Sequence, residues 1–191
     1  MWKRQVFYHL SLFHNSRHIK NCFQFRCRKI TNIHSQRNKK NPDKIIIGAE
    51  PFANGVAALL SAITNESNNT VLSEYKNIRI FPDDVRLLLQ DFKDIQFHEI
   101  WILHPDPWPK ARHEKRRLLN HDFLNLLSEH LGKSGQIIIG TDHWEYYDWI
   151  LNELKQTKLK IESTNLDIIK TRYQIKNKAG TTAPKYLILS N

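Results

Sequence analysis

The sequence predicts an α/β fold built on a doubly wound, mostly parallel sheet, and three observations carry that expectation. Short apolar runs alternate with helix-period segments after Asn41-Pro42-Asp43, in the manner of βαβ units. The run 97–103 has apolar residues on both faces, as a central strand covered on two sides requires. Acidic residues recur where strands end, at Glu50, Asp84, Asp106 and Asp142, and open sheets of this kind bind ligands beyond the carboxyl ends of their strands.

The elements follow in order. Residues 45–49 make a short buried strand, and 52–64 carry Val56, Leu59, Leu60 and Ile63 on one helical stripe before an Asn-rich break. The next strand is 78–81, and Asp83 or Asp84 can cap a helix running through Phe92. After the central strand comes a loop over 104–117. Residues 118–131 are amphipathic and stop at Gly132, which reads as a helix C-cap. A strand at 136–141, a helix at 143–157 and a closing strand at 185–190 complete the pattern.

Charge divides the chain. The net charge is +10, from 29 basic and 19 acidic side chains in 191 residues, a length that suits one domain. Residues 1–40 hold ten Lys and Arg but no acidic residue, Gly or Pro, so the whole excess lies there and 41–191 is balanced. The first segment shows no lasting hydrophobic period and is expected to be irregular. It reads as an organellar targeting sequence, a basic arm for RNA, or a stretch from a displaced reading frame. Residues 41–191 form the expected domain.

No run of about 18 apolar residues is present, so no helix is expected to span a membrane. The two cysteines, Cys22 and Cys27, make no disulfide framework, and a reducing compartment fits. His14, His18 and Cys22 have helical spacing, but with Cys27 they match no standard finger, and no metal is expected.

The segment His104-Pro105-Asp106-Pro107-Trp108-Pro109-Lys110 is the most informative. Two prolines bracket Asp106, stiffening the loop and removing backbone donors, so its carboxylate is held at the end of a central strand. The basic run 110–117 beside Trp108 is a solvated face or a grip for phosphates and bases. Aspartate after a strand is also an ordinary helix cap or turn former. Four acidic residues at successive strand ends favour a site over that reading.

Pro105-Asp106-Pro107-Trp108-Pro109-Lys110, followed by Arg112-His113 and Lys115-Arg116-Arg117, resembles the signature of the bacterial tRNA (guanine-N7)-methyltransferases. Gly48-Ala49-Glu50, Asn77-Ile78-Arg79-Ile80 leading to Asp84, Gly140-Thr141-Asp142 and Thr171-Arg172-Tyr173 extend the resemblance in order over about 41–191. It implies a Rossmann-like fold of the S-adenosylmethionine-dependent type and methyl transfer to N7 of guanine in tRNA, the tRNA (guanine(46)-N(7))-methyltransferase reaction. By the same resemblance Glu50 would bind the cofactor ribose, Asp84 would flank its adenine, and Asp106 would be the catalytic residue and a cofactor contact. Lys110, Asp142, Thr171, Arg172, Tyr173 and Gln174 would touch the substrate. A cytoplasmic monomer acting on tRNA, without metal or membrane, is the expected setting.

Two departures stand out. The family's Glu-Ile-Gly-Phe-Gly-like loop should precede Glu50 by some twenty residues, yet the first glycine is Gly48. The N-terminal strand and helix are therefore expected to be missing or replaced, leaving an exposed sheet edge and weaker cofactor binding. An abrupt start of resemblance near Asn41 favours the displaced frame for 1–40. Gln174 stands where the family usually has Glu. The alternatives are a catalytically inactive RNA-binding remnant of the family, and an unrelated enzyme using Asp106 and His113 as an acid/base pair.

Overall fold

The computed structural model describes residues 44–65, 67–164 and 184–191, together with the backbone of a strand at Cys22–Phe25. Its strands are β1 (Cys22–Phe25), β2 (Ile46–Ala49), β3 (Ile78–Phe81), β4 (Phe97–Leu103), β5 (Leu131–Thr141), β6 (Lys160–Ser163) and β7 (Lys185–Ser190). The α-helices are α1 (Ala53–Ile63), α2 (Val85–Asp91), α3 (His121–Glu129) and α4 (Trp144–Leu154). One sheet runs in the order β3-β2-β1-β4-β5-β7-β6, with β1 to β5 parallel and β7 antiparallel to both neighbours. The chain winds outward from β1 to β3 and then outward again from β4. The order therefore reverses between β1 and β4, where such sheets form a crevice.

Strand pleating sorts the core into two layers. Ile100 and Ile102 of β4 face one side with Ile137 and Ile139 of β5, against Val85, Leu88 and Leu89 of α2 and Tyr146, Ile150 and Leu154 of α4. Trp101 and Leu103 point the other way with Ile46, Ile78 and Ile138, against Leu59 and Ile63 of α1. Each fully buried Leu or Ile contributes about 1.5–3 kcal/mol relative to exposure. The carboxyl half of β4, Ile100 to Leu103, is buried throughout, and it fixes the end of the strand that carries the motif loop.

The structure corrects three expectations. The position of the first strand is filled: β1 pairs with β2 through Cys22↔Ile46 and with β4 through Cys22↔Glu99, so it is central and β2 has no open edge. Ladder bonds come from the backbone, and Cys-Phe-Gln-Phe, free of Gly and Pro with two aromatic residues, suffices to supply them.

The helix predicted for 118–131 is shorter. Asn120 caps it by accepting from the Phe123 amide at 2.9 Å, and it ends at Glu129. Gly132 lies inside β5 rather than capping a helix. A Cβ there would sit 3.3 Å from the Phe97 carbonyl oxygen, and one at Gly135 would sit 2.8 Å from the same atom. These glycines serve a close approach of two backbones at the start of β4.

Finally, β6 had no counterpart in the sequence reading. It is an edge strand of Lys, Ile, Glu and Ser, three of them exposed, and charged edges of this kind discourage further pairing. Among the described residues no helix is long and apolar enough to cross a membrane.

Candidate functional site

A cleft of about 180 Å³ opens at the carboxyl ends of β2, β3 and β4, next to the reversal of strand order. Glu50, Asp84 and Asp106 all line it, with Phe52, Val85, Ile102, Pro105, Leu118, Trp108 and Arg116. Three of the four acidic residues singled out by sequence thus share one cavity, as their placement after successive strands predicts.

Glu50 follows β2 and is only 2% exposed. Its Oε1 accepts from the Phe52 amide at 3.1 Å, at the start of α1. The carboxylate rests where a side chain on Gly55 would be: a Cβ at that position would lie 2.6 Å from Glu50 Cδ. Gly55 therefore makes the seat for the acid, a role the sequence reading missed because a glycine in a helix looks merely unfavourable.

Asp84 serves two purposes. Its Oδ1 accepts from the Arg86 amide at 2.9 Å and caps α2, while Arg86 Nε donates to Oδ1 at 3.0 Å. The Arg86 guanidinium holds the Asp84 carboxyl below the usual aspartate range. The ordinary helix-cap reading and the cleft-lining reading are both satisfied by one residue.

The motif loop forms the opposite wall. His104 and Trp108 adopt left-handed backbone, with φ of 51° and 43°. Such conformations cost of order 1–3 kcal/mol in side-chain-bearing residues and persist where surroundings over-determine them. Here the surroundings include Arg117. Its guanidinium is buried, with Nε donating to the Pro107 carbonyl at 2.9 Å and a second nitrogen to the Trp108 carbonyl at 3.4 Å. It lies 5.6 Å over the Tyr146 ring and 5.1 Å over the Trp149 ring, and pairs with Glu114 at 3.3 Å. Tyr146 in turn accepts from the Leu119 amide at 3.3 Å, and burial pushes its hydroxyl up to about 12.

Arg116, one residue earlier, faces outward and lies 5.1 Å over the Trp108 ring. The sequence reading treated 110–117 as one basic run and did not separate these two arginines. The available sign was the proline content: prolines at 105, 107 and 109 remove every second amide of the loop, which leaves fewer donors of its own to brace it.

Other candidates fall outside the cleft. Lys110 is exposed on the approach to a 3₁₀ turn, Ala111–Arg116, and does not line the cavity. Asp142 follows β5 and pairs with buried His104 Nδ1 at 3.4 Å, so it adjoins the motif loop without entering the cavity wall. His113 packs edge-on against Trp108, with ring centroids 5.7 Å apart, and does not line the cleft. Thr171, Arg172, Tyr173 and Gln174 lie outside the described residues, as do His14, His18, Cys27 and the side chain of Cys22.

Known proteins resemble this chain in sequence and in fold. A family model described as "Putative methyltransferase" matches residues 31–183. A tRNA (guanine-N(7)-)-methyltransferase of Wolbachia pipientis wMel is 43% identical over 115 residues, covering 60% of this chain and 49% of that protein. One from Neorickettsia sennetsu is 38% identical over 135 residues, covering 71% and 59% respectively. The chain thus spans roughly half to three-fifths of the length of these curated relatives. Among solved structures, an antibiotic-related methyltransferase aligns with a TM-score of 0.60 at 13% identity, over 90% of this chain and 87% of that one. A fibrillarin/Nop5p complex gives the same TM-score at 12% identity, over 90% and 72%. At such identities these two establish the fold alone. The family model, which covers most of the sequence, and the named relatives establish more: the chain belongs to the tRNA (guanine-N7)-methyltransferase family.

Proposed function

We propose that this chain transfers a methyl group from S-adenosylmethionine to N7 of a guanine in tRNA, acting in the cytoplasm. The observation that supports it best is the convergence of Glu50, Asp84 and Asp106 on one cleft beside Trp108 and Arg116.

The donor set fits a nucleoside. Carboxylates at Glu50 and Asp84 flank an apolar slot of Val85, Ile102, Pro105 and Leu118, suiting a sugar diol at one end and a flat ring between apolar walls. Glu50 would accept from the ribose hydroxyls, and Val85 with Leu118 would enclose the adenine. Bound there, S-adenosylmethionine supplies an electrophilic methyl group.

Guanine N7 has a free lone pair, so no residue must first remove a proton. The protein's work is then positioning, which in the best intramolecular cases is worth about 7–11 kcal/mol. Asp106, exposed at the mouth of the cleft, would accept from the guanine N1–H and amino group and offset the positive charge gained by the purine. Trp108 under Arg116 offers a flat, cationic surface for a neighbouring base, and Lys110 would meet phosphate. Asp142 and residues 171–174 would complete the substrate contacts.

The test is transfer of labelled methyl from S-adenosylmethionine to tRNA by purified protein, with the product mapped by strand cleavage at N7-methylguanine. The reading requires transfer by the wild type and its loss in Asp106→Ala. No transfer by the wild type, or equal transfer by the variant, overturns it.

A further inference from the structure

We infer that Arg117 is a positioning residue, which holds the backbone of the motif loop so that Asp106 and Trp108 face the cleft; the inference deepens the function proposed above and rests on it. Three prolines leave the loop without amides at 105, 107 and 109, so it has few backbone donors with which to brace itself. The brace comes from ten residues downstream, where Arg117 donates to the carbonyls of Pro107 and Trp108.

Those two carbonyls immediately follow Asp106, and the second belongs to a residue with φ of 43°. A strained turn next to a reacting group keeps its shape only when something outside it forces that shape. Arg117 is suited to this because its own position is over-determined. The guanidinium lies over Tyr146 and Trp149 of α4, and its remaining nitrogen is paired with Glu114. The loop is thereby fastened to a helix of the core, and α4 carries it through Tyr146 to the Leu119 amide.

The neighbouring arginines divide the labour. Arg116 is exposed and lines the cleft with Trp108, whereas Arg117 is buried and does not line it. Lysine cannot take the inner place. It offers a point charge in place of a planar fork that can bond two carbonyls while lying over aromatic rings.

The experiment compares Arg117→Lys with the wild-type chain by amide hydrogen exchange and by methyl-transfer kinetics. Positioning predicts at least a ten-fold faster exchange confined to 104–116, with α2 and α4 unchanged. It also predicts at least a ten-fold lower kcat, with KM for tRNA within about three-fold. Wild-type exchange in 104–116, or an equal rise in α2 and α4, overturns the inference, the latter by showing a merely structural role. If Arg117→Lys does not fold, Trp149→Leu takes its place: it removes one ring beneath the guanidinium and should produce a smaller change confined to the same segment. Exchange needs no turnover, so if the wild type transfers no methyl group, the proposed reaction fails while the positioning inference is still decided.

Discussion

The two walls of the cleft are built on opposite plans. The wall formed by the loop after β4 is fastened many times: prolines restrict it, Arg117 bonds two of its carbonyls, and Arg116 and His113 pack against Trp108. The wall formed by β2 and α1 has Glu50 seated over Gly55 and held by the Phe52 amide. Helix α1 carries no charged residue, and Phe52 is 64% exposed. Rigidity is concentrated where a guanine would have to be aligned, and the opposite wall provides a pre-shaped seat for a carboxylate.

The largest effect should come from the fastened wall. Asp106→Ala is expected to lower methyl transfer by about 100-fold or more, the scale seen when one preorganised electrostatic contact is lost. Because Asp106 is exposed, stability should change by less than about 0.5 kcal/mol. Thermal unfolding beside the transfer assay checks both halves, and a large loss of stability would mean that Asp106 braces the loop instead of acting on substrate.

A smaller effect should come from the seat. Gly55→Ala places a Cβ 2.6 Å from Glu50 Cδ, and the flexible end of the glutamate should give way. Gly→Ala in a helix also contributes up to about 1 kcal/mol, so the two terms offset and the melting temperature should move by only a few degrees. Affinity for S-adenosylhomocysteine should fall about ten-fold, and calorimetry that finds it unchanged would show that the position of Glu50 is immaterial.

The smallest effect concerns pH. The folded-state pKa of Asp84 is depressed by Arg86, so the pair stabilises the protein above the unfolded value of 3.8 and the contribution is lost as pH falls through the folded pKa. Both side chains are partly exposed, with 61% for Arg86 and 35% for Asp84, so screening keeps the contribution below about 1 kcal/mol. Between pH 5 and pH 3, Asp84→Asn should lose less stability than the wild type, since asparagine still caps the helix but does not titrate. Identical pH profiles would remove Arg86 as the cause.

The same contrast explains what was legible in the sequence. Strands β2 to β5 and β7 announced themselves as short, mostly apolar runs, and Glu50, Asp84 and Asp106 after them marked the cleft without any long-range inference. β1 was hidden: four residues in a basic stretch give no usable period, and their place in the sheet is set by backbone pairing with β2 and β4. Gly132 gave a false helix stop because a glycine that permits close backbone approach looks, in sequence, like one that ends a helix. Arg116 and Arg117 are adjacent and identical in type. Only the 3₁₀ turn that ends at Arg116 decides which faces the cleft and which the core.

The central claim is that the cleft between Glu50 and Asp106 receives the nucleoside of a methyl donor. The most direct measurement is a calorimetric titration of S-adenosylhomocysteine into the wild-type chain and into Glu50→Gln, which keeps the shape of the side chain but not its charge. The account predicts binding by the wild type and at least ten-fold weaker binding by the variant, with both proteins folded. Equal affinities, or no binding by a folded wild type, would contradict it.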